Sequence, residues 1–188
     1  MAGRPKKAGP RHPGGRLCQN IAPPAEVLEQ RARMVGEANE RDQRAGYPLG
    51  ILALKGLLQR ADHSAGMRYG GLYIAIWGRG PMPSHFAAMM PELRGAEWEL
   101  LDDKKREEIL FGLAGDLGEA TAVLLALSTR RPFEILVNLA VYERPMRFMD
   151  CARARSASAW AADQRDLDAL KEATGRLATL WRIERKAA

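Results

Sequence analysis

Only two cysteines occur, Cys18 and Cys151, far apart and without a C-x-x-C neighbour. That spacing argues against a disulfide framework, a zinc ligand set or a redox motif, and it fits a reducing compartment. Apolar runs are short. The stretches Leu72 to Trp77 and Ile135 to Val137 fall well below the roughly 20 residues that span a bilayer, so no membrane contact is expected. The basic start is followed by Pro10, Pro13, Gly14 and Gly15 instead of an apolar segment, so a soluble, non-exported chain is expected. The three histidines, His12, His63 and His85, have no metal-ligand spacing, and Gly78-Arg79-Gly80-Pro81 has neither a third loop glycine nor a Gly-Lys-Ser/Thr. No metal, nucleotide or other cofactor is therefore expected. Cys151 with His85 as base could be paired on paper, as any cysteine and histidine could, and no enzyme is expected from it.

Acid is also missing where it matters. Five basic residues, Arg4, Lys6, Lys7, Arg11 and Arg16, precede the first acidic residue, Glu26, while the remaining 24 basic residues are set against 23 acidic ones. The formal net charge of +6 thus belongs almost wholly to the N-terminal stretch. Residues 1–24 are rich in Pro, Gly, Arg and Lys and have too few apolar groups to offset the entropy of ordering them, so they read as a disordered basic arm. Residues 25–188 are long enough to bury one core and read as a single domain.

The body reads as all-α, a compact bundle of about six helices. Pro23 and Pro24 set up a first helix whose narrow stripe is Val27, Leu28, Met34, Val35 and Ala38, running to about Gly46. Pro48 opens a short second helix, Leu49 to Lys55, capped by Gly56. In the third, reaching Trp77, Leu58, Ala61, Ala65, Tyr69, Tyr73 and Trp77 recur every three or four residues. Residues 78–95 hold Gly78, Gly80, Pro81, Pro83, Pro91 and Gly95 and read as an internal surface loop. Asp102 and Asp103 start the next helix, on which Leu110, Leu113, Leu117, Ala120, Leu124 and Leu127 are the strongest periodic signal. Ser128 or Thr129 is the expected N-cap of a helix through Tyr142, with Phe133, Leu136, Val137 and Ala140 inward. Residues 146–162 read as helix or loop. Leu167, Leu170, Thr174, Leu177 and Trp181 define the last helix.

The chemistry points to phosphate. A cationic arm gains free energy along nucleic acid by releasing condensed counterions. Gly3-Arg4-Pro5-Lys6-Lys7 resembles the core of an AT-hook, with Ala2 where that motif has an arginine. Arg130, Arg131, Arg144 and Arg147, with Arg153 and Arg155, concentrate positive charge in the second half and form either a second phosphate-facing patch or a solvated face. The segment from Leu49 to Trp77 invites a helix-turn-helix reading, but Asp62 stands where the second helix of that motif needs an apolar residue, which favours an ordinary helical hairpin. Tyr69, Tyr73 and Trp77 read as core packing before they read as a platform for unpaired bases.

The stretch from Arg4 to Leu17, with Ala45 to Gly50, Gly56 and Ala65 to Tyr69, resembles small basic-armed prophage proteins of alphaproteobacteria encoded near packaging genes. The resemblance implies handling of phage DNA by a protein similar to the small terminase subunit, acting in the cytoplasm of a bacterial host. Such subunits are helical, bind DNA and form rings. The expected function is therefore a non-enzymatic nucleic-acid-binding protein, its partner probed first as duplex DNA, with homo-oligomers or a phage protein as further partners. The alternative is an assembly adaptor that associates through a helix, with the face Leu110 to Leu127 as the candidate surface.

Overall fold

A computed structural model describes residues 23–78, 83–87, 100–149 and 157–184, apart from the side chains of residues 84, 87, 148 and 157–160. The arm, including Arg4, Lys6, Lys7, Arg11 and Arg16, lies outside the described residues, as do Cys151, Arg153 and Arg155. The described chain is all-α and has no strand. Its helices are α1 Ala25–Val35, α2 Pro48–Leu54, α3 Arg60–Trp77, α4 Asp103–Leu125, α5 Arg131–Ala140 and α6 Ala157–Leu180. Short turns of helix occur at Glu37–Asn39, Gln43–Gly46, Ser84–Ala87 and Arg147–Met149.

Local chemistry sets most boundaries. Pro24 precedes α1, whose first turn holds Glu26 at the positive end of the helix dipole. The helix stops at Val35, well before Gly46, because Gly36 takes φ +83°, a backbone conformation that costs glycine little and ends the helical ladder. Gly56, at φ +69°, plays the same part after α2. Asp102 caps α4 by accepting the Lys105 N–H at 2.8 Å. Neither Ser128 nor Thr129 caps α5: Arg130 occupies that position without a side-chain cap, and Pro132 supplies the preset first turn.

α3 is the hub. It packs against α2, α4, α5 and α6, and Ala61, Ala65, Met67, Tyr69 and Leu72 are buried along it. A helix enclosed on so many sides has little surface to lay in a DNA groove, in keeping with the hairpin reading. Its glycines permit the enclosure. A Cβ on Gly70 would lie 2.5 Å from the Ala140 carbonyl oxygen and 2.6 Å from Phe86 Cε1, and one on Gly66 would lie 3.0 Å from Leu49 Cδ1. Arg68 ties three helices together: its guanidinium bonds Asp116 of α4 at 3.1 Å and sits 4.9 Å from the centre of the Trp181 ring beyond α6. Tyr69 shares a 3.2 Å hydrogen bond with Thr121, and the buried Thr174 hydroxyl donates to the Leu170 carbonyl at 2.9 Å.

The strongest periodic signal does become core: Leu113, Leu117, Ala120 and Leu124 are buried, with Leu110 and Leu127 partly covered against them. That face is consumed within the chain, so it is not the adaptor surface expected of it. Three other expectations are corrected. Trp77 is 67% exposed, on the outward side of a last turn whose Ile74 and Ile76 still pack against the core. On α5 the inner side is Pro132, Leu136, Leu139 and Ala140, while Phe133 and Val137 are only partly covered. Within 78–95, Phe86 is 1% exposed; the helical turn at Pro83 and Ser84 swings its ring inward, so the segment is not wholly a surface loop. Met146 and Met149 likewise enter the core from a stretch that read as ambiguous.

The two groups of glycines should respond oppositely to alanine. Gly70→Ala should destabilise the protein by about 1 to 3 kcal/mol, since the clashing atom is backbone and α3 must move from α5. Gly112→Ala, where a Cβ meets nothing within 4 Å, should stabilise by about 1 kcal/mol through helix propensity. Urea denaturation of the two variants checks the opposed signs.

Candidate functional site

The chain leaves α5 in a tight reversal that positions the second-half arginines. Arg144 N–H donates to the Asn138 carbonyl at 2.8 Å, and Glu143 between them takes φ +50°. The Arg144 guanidinium therefore returns over its own turn, 3.3 Å from Asn138 Oδ1 and 5.3 Å from the Tyr142 ring centre. One turn later, Arg147 N–H donates to Oδ1 of the buried Asp163 at 3.2 Å, which pins the start of the Arg147–Met149 turn to α6. Arg144 and Arg147 then flank a surface cleft of about 240 Å³ whose floor includes Asn138, Leu139, Asp163 and Asp166.

Of the six body arginines named in the sequence, four fall among the described residues, and three of these gather around the α5–α6 seam. Arg131 is tied to Asp166, with Nε 3.0 Å from Oδ1 and Nη2 closer still. It enters the seam as one half of an ion pair. Arg144 and Arg147 are exposed and keep their charge outward. Arg130 is exposed too, but it does not line the cleft. The result is a patch of two outward guanidiniums beside two carboxylates, more mixed in sign than the sequence count suggested. Its missed members are Asp163 and Asp166, and no spacing signal linked them to arginines 16 and 35 residues away.

A second constellation surrounds Tyr47. The Tyr47 hydroxyl and His63 Nε2 share a 3.1 Å hydrogen bond, and the His85 ring stacks on Tyr47 with centroids 4.6 Å apart. His85 Nε2 lies 2.7 Å from Glu143 Oε1, a short contact that is not aligned as a hydrogen bond. Tyr47 and Glu143 face a cleft of about 260 Å³ walled by Val27, Met34 and Ile51, with Gln30 and Arg31 at its polar side. Burial pushes the Tyr47 hydroxyl above its usual range and holds the His63 imidazole down at about 4. Both groups are neutral near pH 7, so this pair orders the α2–α3 corner without supplying a charged acid or nucleophile. The cysteine proposed as partner to His85, Cys151, is outside the described residues.

Tyr69, Tyr73 and Trp77 do not make one platform. Tyr69 is buried at 1% exposure, Tyr73 is half-buried and Trp77 is exposed, so three rings at one spacing occupy three environments.

No protein-family model, no curated protein and no solved structure matches the chain.

His63 makes stability depend on pH in a stated direction. Its folded value, about 4, lies below the ordinary 6.5, so the unfolded chain binds a proton that the folded chain refuses. The contribution is complete above pH 6.5 and is lost as pH falls to about 4, by at most about 3 kcal/mol. Denaturant melts across that window should show a steeper loss for the native chain than for His63→Gln.

Proposed function

We propose that the chain is a non-enzymatic nucleic-acid-binding protein in which the arm residues Arg4, Lys6, Lys7, Arg11 and Arg16 neutralise phosphates and the helical body serves as the scaffold. The carrying observation is the charge layout: five basic residues and no acid ahead of Glu26, against a remainder whose charges nearly cancel. A local polycation on a near-neutral body concentrates its field where a polyanion can be met, and counterion release makes that contact favourable at low salt. Arg144 and Arg147, exposed at the α5–α6 seam, add a secondary phosphate contact, with Arg130 nearby in sequence. Arg131 contributes less because Asp166 already neutralises it. Duplex DNA is the favoured target and a packaging or regulatory role of the small-terminase kind the favoured setting, on the strength of the resemblance of residues 4–17 and the Ala45 to Tyr69 region.

Removing residues 1–22 should weaken duplex binding and reduce the slope of log affinity against log salt by about 4 to 5, since each neutralised phosphate contributes about 0.9. A slope unchanged by the truncation would defeat the proposal. Arg144→Ala and Arg147→Ala should each lower the slope by about 1 across unrelated DNA sequences. Filter binding or fluorescence anisotropy over a salt series reads both effects.

A further inference from the structure

α4 carries two apolar registers. One, through Leu113, Leu117, Ala120 and Leu124, is buried in the core. The other, Phe111, Gly115, Gly118, Ala122 and Leu125, follows the alternating four- and three-residue spacing of a coiled-coil seam and faces away from the core. Phe111 is 83% exposed and Leu125 51% exposed, and Gly115, Gly118 and Ala122 between them are exposed as well.

Nothing among the described residues accounts for this second seam. The glycines of α3 sit where a Cβ would strike a neighbour, but a Cβ on Gly112, Gly115 or Gly118 meets nothing within 4 Å. Each such glycine in a helix interior costs about 1 kcal/mol relative to alanine. Two of them, Gly115 and Gly118, in this open face and bracketed by an exposed phenylalanine and an exposed leucine, mark a surface shaped for the close approach of another helix. Nucleic acid does not fit it. From Glu107 to Thr129 there is no lysine or arginine, whereas Glu107, Glu108, Asp116 and Glu119 are present, a sign that repels phosphate.

We infer that this face of α4 pairs with the same face of a second copy of the chain, antiparallel, about a two-fold axis near Gly118. In that register Phe111 covers Leu125 of the second copy, Gly115 lies against its Ala122, and the two Gly118 residues meet at the crossing point. The charges also match. Glu107 and Glu108 at one end of the seam come beside the exposed Arg130 of the second copy, and the symmetry repeats the match at the other end. A parallel pairing would set those glutamates against their own copies. It would also align the two helix dipoles, which the antiparallel arrangement opposes. The seam from Phe111 to Leu125 is about 21 Å long at 1.5 Å per residue, short of a standard interface, so the dimer belongs to the weaker, concentration-dependent class. This inference stands independently of the arm and its phosphate contacts.

Sedimentation equilibrium of the full chain over a wide concentration range, without nucleic acid, tests it. The expected result is a monomer–dimer equilibrium whose dissociation constant rises by about tenfold or more in Gly118→Leu, while the melting temperature does not fall, because the position is open in the monomer. Should Gly118→Leu misfold, charge reversal serves instead: Glu107→Arg with Glu108→Arg weakens the dimer, Arg130→Glu weakens it, and the three together recover part of the loss. The register is read by crosslinking in a Cys18→Ser, Cys151→Ser background. Gly118→Cys should crosslink to itself, and a mixture of Phe111→Cys and Leu125→Cys chains should crosslink to each other, with neither crosslinking to itself. A chain that stays monomeric at the highest concentration overturns the inference and leaves the seam to a different protein. Phe111→Cys crosslinking to itself overturns the antiparallel register.

Discussion

The close approach of neighbouring chain to α3 is the constraint on which the rest of the structure depends. Gly66 and Gly70 remove the Cβ atoms that would hold Leu49, Phe86 and the Ala140 carbonyl away. α2, α5 and α6 can then converge on one helix, and the reversal after α5 is drawn in with them. That reversal is what projects Arg144 outward and brings Glu143 beside His85. Both constellations described above are consequences of how tightly α3 is enclosed.

Charge is distributed on a different principle from packing. Within the body, two arginines are matched by acids on neighbouring helices, Arg68 by Asp116 and Arg131 by Asp166, while the Arg147 backbone N–H donates to Asp163. The Arg68 and Arg131 pairs are partly exposed, and such pairs contribute modestly to stability. Their stronger effect is on the surface field, which they leave nearly neutral around the α5–α6 seam. The five basic residues ahead of Glu26 have no acid among them in the sequence. The proposed phosphate binding rests on that arrangement, with Arg144 and Arg147 as the outward remainder of a locally balanced patch.

α4 shows how two sides of one helix can serve different ends. Its inner register and its outer register share the same periodicity, displaced by one or two residues, so spacing alone cannot rank them. The distinction lies in residue size. Leucines fill the inner register and close the core, while glycine and alanine in the outer one leave room for a backbone to approach.

The helices were legible because they depend on local chemistry. Prolines before α1 and within α2 and α5, Gly56 after α2, the Asp102 cap and the Leu113 to Leu124 periodicity act within a few residues of the backbone they shape. The end of α1 was missed for a related reason: Gly36 breaks the helix only if it takes a positive φ, and the residues beyond it still resemble a helix in composition. The burial of Phe86, the exposure of Trp77, and the pairing of His85 with Glu143 and Arg131 with Asp166 were not legible. Each joins residues far apart in the chain or turns on which side of a helix its neighbours cover. Periodicity along the chain determined the all-α class, and the order of charges separated a basic N-terminal stretch from a balanced remainder, because both are read over neighbouring residues. Only the tertiary structure decided which arginines stay exposed and which apolar face of α4 is spent on the core, because both depend on what packs opposite, and that is a property of distances and not of order along the chain.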